Sequence, residues 1–260
     1  MDNAEQQSFR LSIAVTGGLG DIGAATGRRL ARDGHTVMLV DLMDPARGLS
    51  LIADWERADP SLSGRLSYAR ADITDSSAVT AMVESQKRLD AIIMNAGTVR
   101  SAPFLEIDEA DWQRQLSVNL TGAFLCAQAA ARRMVREGTR GLLLFTGSWV
   151  ANVPWPEITA YTASKAGMEN LARQAARELA RYGIRSNVVA PGIVRAGLAK
   201  TQLETEPQYA ARAARVVPLG ELQTVDQVAA AFSFLCSTDS EYMTGATLTV
   251  DGGASLFAFD

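Results

Sequence analysis

Seven short apolar runs, each continuous rather than alternating, constrain this chain more than any other feature. They are LSIAVTG from Leu11, TVMLVD from Thr36, LSYARAD from Leu66, DAIIMNAG from Asp90, GLLLFTGS from Gly141, IRSNVVAPG from Ile184 and ATLTVDGG from Ala246. A strand with one wet face alternates apolar and polar residues, so a continuous run fits a strand covered on both faces. Between the runs, residues 22–33, 76–88, 108–137, 160–182 and 225–237 carry apolar residues at helical spacing. Gly34, Gly138 and Gly183 stand where three of those helices should stop. The alternation predicts an α/β domain, a doubly wound parallel sheet with helices on both faces. With no linker, repeat or low-complexity tract to divide it, the chain reads as a single domain over 1–260, with 1–9 as a flexible start.

Composition removes several classes of function. The 25 basic and 29 acidic residues are spread along the chain, giving a net charge of −4 and no basic stripe for nucleic acid. His35 is the sole histidine, and Cys126 and Cys236 lie far apart, so neither a metal site nor a disulfide framework is expected. The opening MDNAEQQSFR has no apolar signal core, and no later stretch runs long enough without a charge to span a bilayer. These features predict a soluble, cytoplasmic protein with no membrane partner.

The first apolar run leads into VTGGLGDIG, Val15 to Gly23, and then into a helix. Strand, glycine turn and helix together are the Rossmann context for a pyrophosphate, which the backbone can approach closely and which the helix N-terminus attracts. Two frames overlap. Gly18, Gly20 and Gly23 fit G-x-G-x-x-G, while Thr16, Gly17 and Gly23 fit T-G-x-x-x-G-x-G with Asp21 where the middle glycine belongs. A tight turn with no ligand is the bland alternative. The second run ends at Asp41, twenty-four positions after Gly17. A carboxylate there can accept from an adenosine ribose and would repel a 2′-phosphate, so NAD is preferred over NADP; a solvated turn aspartate would look the same. Along the chain no Lys or Arg follows Asp41 until Arg47.

YTASKAG sets Tyr161 and Lys165 four residues apart on one helix face. A phenol near pKa ~10 is a poor acid or base at neutral pH, and an adjacent ammonium in a partly desolvated pair, helped by an oxidised nicotinamide, would lower it. Alone, the pair also fits a packed tyrosine beside a surface lysine. It occurs, however, with TGGLGDIG, Asn95-Ala96-Gly97, VNL around Asn119, Ser148 thirteen positions before Tyr161, APG at Ala190 to Gly192, and TGATLTVDGG. In this order the set resembles the short-chain dehydrogenase/reductase family over nearly the whole chain. The resemblance implies Tyr161 as proton donor and acceptor, Lys165 as its activator and ribose ligand, Ser148 on the substrate oxygen, and Asn119 kinking its helix and holding a water that links Lys165 to solvent. It further implies a cofactor cradle of Gly17, Gly18, Leu19, Gly20, Asp21, Ile22, Gly23, Asp41, Leu42, Asp72, Ile73, Asn95, Ala96, Gly97, Pro191, Gly192 and Val194. Asp72 matches the position that contacts the adenine amino group.

Two residues depart from the family pattern. Asp21 replaces a glycine, and Ala196 stands where a threonine commonly contacts the carboxamide. At a helix N-terminus Asp21 is expected to point outward and cap free N–H groups. Trp149, Asn152, Trp155 and Arg195, with Arg100 and Lys200 nearby, are the substrate-side candidates, and residues 193–217 form a lid by resemblance. Aromatic walls with scattered polar and basic groups suit a sugar, polyol or sugar acid; equally, the tryptophans could simply pack and the charges be solvated. The resemblance also implies a homotetramer or homodimer. An NADPH-dependent 3-oxoacyl carrier-protein reductase is the competing activity, against which Asp41 argues. An enoyl reductase would be expected to have a wider interval between Tyr161 and Lys165. An NAD-sensing regulator without turnover is the non-enzymatic alternative.

Overall fold

The computed structural model describes residues 10–256, so the start expected to be flexible lies outside the described residues. All seven apolar runs form strands: β1 Ser12–Thr16, β2 Thr36–Asp41, β3 Leu66–Arg70, β4 Ala91–Met94, β5 Leu142–Thr146, β6 Arg185–Pro191 and β7 Thr247–Val250. They make one parallel sheet in the order β3-β2-β1-β4-β5-β6-β7. Strands β4 and β5 are buried along their whole length, as continuous apolar runs require.

Each face of the sheet has its own core. On one, Met38, Ile92, Leu143 and Phe145 pack with Val79, Cys126, Met134 and Met168, residues of α3 (Ser76–Ser85), α5 (Ala123–Glu137) and α6 (Thr159–Leu179). On the other, Ile13, Leu39, Ile93 and Leu144 pack with Leu30, Val228 and Phe232, from α1 (Asp21–Arg32) and α9 (Val225–Leu235). Burial of side chains this size contributes about 1.5–3 kcal/mol each, so these two layers rather than local propensity hold the sandwich.

Three helical features differ from the sequence reading. The helix expected over 108–137 is α4 (Glu109–Leu116), a π-helical segment Ser117–Gly122, and α5. The π segment contains Asn119, whose side chain turns inward to bond another loop. A helix the sequence reading lacked, α2 (Pro45–Ala58), begins where the Asp44 carboxylate accepts from Ala46 and Arg47 N–H and Pro45 occupies the first turn. The segment 193–217 folds into two short helices, α7 (Gly197–Thr205) and α8 (Pro207–Val216).

The order of strands reverses between β1 and β4, which opens a crevice beyond their carboxyl ends. The glycine turn follows β1, and Asn95-Ala96-Gly97 follows β4. Among the described residues no helix is long and apolar enough to cross a membrane, and no group of three or more His, Cys, Asp or Glu could hold a metal ion.

Candidate active site

The crevice is a cavity of about 830 Å³, large enough for a dinucleotide and a small substrate together. It runs past Gly17, Gly20, Asp21, Ile22 and Gly23, then Asp41, Leu42, Asp72 and Ile73, then Asn95, Ala96 and Gly97, and reaches Ser148, Trp149, Trp155, Tyr161, Lys165, Pro191, Gly192 and Val194. Gly18, Leu19, Asn119, Asn152 and Arg195 do not line it.

The glycine turn is folded on itself. Gly17 has φ +62°, and a Cβ on Gly23 would lie 2.0 Å from the Gly17 carbonyl oxygen, so the turn and the start of α1 close only with hydrogen at that position. Gly18 instead faces β2, where a Cβ would meet Leu39 at 2.8 Å, and its N–H donates to Val40 O. Gly17 and Gly23 face each other, so the frame beginning at Thr16 is the one built. Thr16 Oγ1 accepts from Asn95 N at 3.0 Å and Ala96 N at 3.1 Å, and Asn95 Nδ2 donates to the Thr16 and Gly17 carbonyls. This ties the loops after β1 and β4 together.

Asp41 is held by the turn it serves. Its Oδ2 accepts from Leu19 N at 3.2 Å and its Oδ1 from Leu42 N at 2.8 Å, leaving lone pairs on both oxygens facing the crevice wall they help form. Leu19 thus acts through its backbone. The sheet register also sets Arg70 of β3 beside Asp41, a neighbour remote from it along the chain. Asp72 Oδ1 accepts from Thr74 N and Thr74 Oγ1, and these bonds hold its carboxyl below the usual range.

The chemistry-bearing side chains meet beyond β5. Ser148 is in extended backbone just past that strand, and Tyr161 lies in the first turn of α6, its phenol in hydrogen-bonding contact with the Ser148 side chain. Lys165, one turn further on, is 3% exposed; its Nζ donates to Thr146 O at 2.7 Å and lies 5.4 Å from the Tyr161 ring centre. Burial pushes Lys165 down to about 8. Burial also raises the Tyr161 phenol, with the Ser148 bond opposing it. The lowered phenol expected from the Tyr-Lys spacing is therefore not what the protein by itself produces: the ammonium is committed to a carbonyl, and loss of water around the phenolate outweighs it. Asn119 sits behind this group. Its Oδ1 accepts from Thr98 N, its Nδ2 donates to Thr98 O and Ser164 Oγ, and all three bonds are 2.8–3.1 Å. It anchors the loop after β4 to α6 through the π segment.

The substrate-side candidates divide. Trp149 and Trp155 form an edge-to-face pair with centres 5.2 Å apart, and Tyr209 of α8 stacks edge-on to Trp155 at 6.2 Å. Val150, Ile158, Ile193, Ala199, Gln202 and Tyr209 also line the wall and were absent from the sequence candidates. Asn152 turns away, donating its Nδ2 to the buried carboxylate of Glu169 at 3.1 Å. Arg195 is exposed, and Arg100 pairs with Asp111. The sequence placed these three near the site by adjacency along the chain, which fixes backbone position but not side-chain direction.

Asp21 also departs from expectation. It opens α1, but the cap of that helix is Gly20 without a side-chain bond, and the exposed Asp21 carboxylate instead accepts the N–H of Gly197, the first residue of α7.

A glycine-turn cradle, a carboxylate at the second strand's end and a Ser-Tyr-Lys group in one crevice define a nicotinamide-dependent oxidoreductase acting on hydroxyl or keto groups. A family model described as Enoyl-(Acyl carrier protein) reductase matches residues 18–255. The chain belongs to the short-chain dehydrogenase/reductase family. The (3R)-3-hydroxyacyl-CoA dehydrogenase of Canis lupus familiaris is 36% identical over 258 residues, covering 94% of this chain and 96% of that protein. The cis-4-hydroxycyclohexanecarboxylate dehydrogenase of Sinomonas cyclohexanicum is 36% identical over 254 residues, covering 95% and 98%. The crystal structure of levodione reductase superposes with a TM-score of 0.87 at 28% identity, covering 95% of this chain and 98% of that one.

Proposed function

We propose that the chain transfers hydride between NAD and a secondary alcohol or ketone with a compact, largely apolar body, using Tyr161 as general acid and base. The observation that carries the reaction is the Ser148–Tyr161 contact on the cavity wall with the buried ammonium of Lys165 beside it. The nicotinamide, when bound, supplies or accepts the hydride. Ser148 and Tyr161 donate hydrogen bonds to the substrate oxygen as negative charge builds there, and Tyr161 passes or takes the proton. Lys165 keeps a positive charge within reach of the phenolate that ketone reduction leaves and alcohol oxidation requires. Gly17 and Gly23 would hold the pyrophosphate and Asp41 the adenosine ribose.

The substrate class shifts from the sequence expectation of a polyol or sugar acid. Its motive was aromatic walls with scattered polar and basic groups, but Asn152, Arg195 and Arg100 leave the wall, and beside Trp149, Val150, Trp155, Ile158, Ile193 and Tyr209 the polar groups are Gln202 and the Tyr209 hydroxyl from the lid and Arg114 from α4. Each hydroxyl of a polyol left without a partner against such a wall costs about 1–3 kcal/mol, while an alicyclic or acyl body gains from the same contact. The test is reduced-nicotinamide formation with NAD and NADP over alicyclic alcohols, hydroxyacyl thioesters, hydroxy acids and polyols. Turnover of an alicyclic or hydroxyacyl substrate at least about tenfold above any polyol is expected, one tenfold step being 1.4 kcal/mol. Preference for a polyol returns the reading to the sugar class; NADH binding without turnover in either direction points to the sensing regulator.

NAD preference rests on Asp41. Asp41→Ser is expected to move the NADP-to-NAD ratio of kcat/KM about a hundredfold toward NADP, since it removes a ribose acceptor and a charge opposing the 2′-phosphate and leaves Arg70 alongside. An unchanged ratio sinks the assignment. Self-association as a homotetramer or homodimer belongs to the same proposal, supported by the exposed apolar Phe124 and Val135 on α5.

A further inference from the structure

Asp21 and Gly197 are 176 positions apart, yet Asp21 Oδ2 accepts the Gly197 N–H at 2.8 Å. The contact joins the two places where this chain departs from its family's pattern, because Gly197 directly follows Ala196. Ala196 precedes α7 at the capping position, has no side-chain acceptor, and gives the helix no side-chain cap. The first N–H groups of a helix need acceptors, and here one comes from the glycine turn rather than from the helix's own flank. Asp21 itself stands in the first turn of α1, so one carboxylate lies at the positive ends of two helices.

The position of the bond gives it a consequence. Asp21, Gly20, Ala196, Gly197, Ala199 and Gln202 all line the same cavity, so the bond runs from the cofactor side of the crevice to the segment over its substrate side. On its other flank that segment is fastened by apolar packing, Ile193 and Tyr209 clustering with Trp149 and Trp155. Gly197 has φ +51° and open space around its Cβ position, so this residue adds no packing of its own between the buried Ala196 and the half-buried Ala199. We propose that Asp21 is a positioning residue for the lid: its carboxylate holds α7 down across the glycine turn and thereby slows exchange of the dinucleotide. This rests on the dinucleotide reading of the crevice. It also accounts for an acidic residue being tolerated beside a pyrophosphate site, since the charge is engaged with the lid.

The full chain without ligand carries its own reporter. Lys200 is an exposed lysine within α7, Lys87 is exposed just after α3, and Lys165 is buried. Cleavage by a lysine-specific endoprotease after Lys200, relative to Lys87, therefore reads local opening of the lid. Asp21→Ala is expected to speed relative cleavage at Lys200 about tenfold, and Asp21→Asn, which keeps an acceptor without the charge, by less. Equal relative cleavage in wild type and Asp21→Ala overturns the contact's role. In stopped-flow displacement, NADH is expected to leave Asp21→Ala about tenfold faster, as for loss of one charge-assisted hydrogen bond. Unchanged or slower release overturns the proposal. Wild-type protein that binds no NADH strikes instead at the dinucleotide reading, and the cleavage ratio then decides the lid contact alone.

Discussion

Tyr161→Phe is expected to lower kcat/KM about a thousandfold in both directions while leaving NADH affinity within a factor of two or three. The phenol oxygen is the group placed to exchange a proton with substrate, and losing a positioned general acid or base costs 10²–10⁴-fold, about 3–5 kcal/mol of transition-state stabilisation. The ring stays, so packing near Lys165 and Ser148 changes little. The raised phenol adds a signature in pH. Because burial holds the proton on Tyr161, ketone reduction should be flat through neutral pH and fall at alkaline pH as the proton is lost. Alcohol oxidation, which needs the phenolate as base, should rise over the same alkaline range. Opposite slopes for the two directions, both absent in the variant, identify Tyr161 as the titrating group. Residual turnover within tenfold of wild type would remove it from the reaction.

The strands were legible because they are buried on both faces: β4 and β5 present no polar residue to solvent, so a continuous apolar run has no other comfortable place. Helix α2 was not, although Asp44 and Pro45 spell its start: only Gly48 and Ile52 of its fourteen residues are buried, so it lies mostly in solvent. In the site, residues tied to a motif by the backbone could be placed in advance: the glycine turn, Asp41 at a strand end, and Tyr161 and Lys165 one helical turn apart. What depends on side-chain direction or on distant segments could not. Asn152 follows Ser148 closely yet turns to Glu169 on α6, Tyr209 reaches the wall from a lid helix, and Arg70 meets Asp41 through strand register. The Asp21–Gly197 bond combines both difficulties. Its two ends lie in different elements, and the sequence expectation of a self-capping aspartate was the locally sensible one.

Lys165→Met is expected to abolish useful turnover and, at pH 7, to raise the melting temperature of the ligand-free protein. Burial lowers the lysine from 10.5 to about 8, so between those values the unfolded chain holds a proton that the folded chain does not. Stability then rises with pH across that window, and below pH 8, where both states are protonated, the full cost of burying the ammonium is present. A shift of this size corresponds to about 3 kcal/mol. Methionine keeps an unbranched chain of similar volume without the charge, but leaves the Thr146 carbonyl without its 2.7 Å donor, which returns about 1–2 kcal/mol. The net gain of about 1–2 kcal/mol is a rise of roughly 4 °C for a protein of this size. That advantage should shrink as pH is raised from 8 toward 10, because the folded wild-type lysine sheds its proton over that range while the unfolded one keeps it, and methionine does not titrate. A lower melting temperature at pH 7, or a difference constant with pH, would mean that the ammonium is better solvated in its pocket than its burial implies. The expected result makes the site's cost explicit: the chain keeps a buried cation at the expense of stability because a charge beside Tyr161 is what proton exchange with substrate requires.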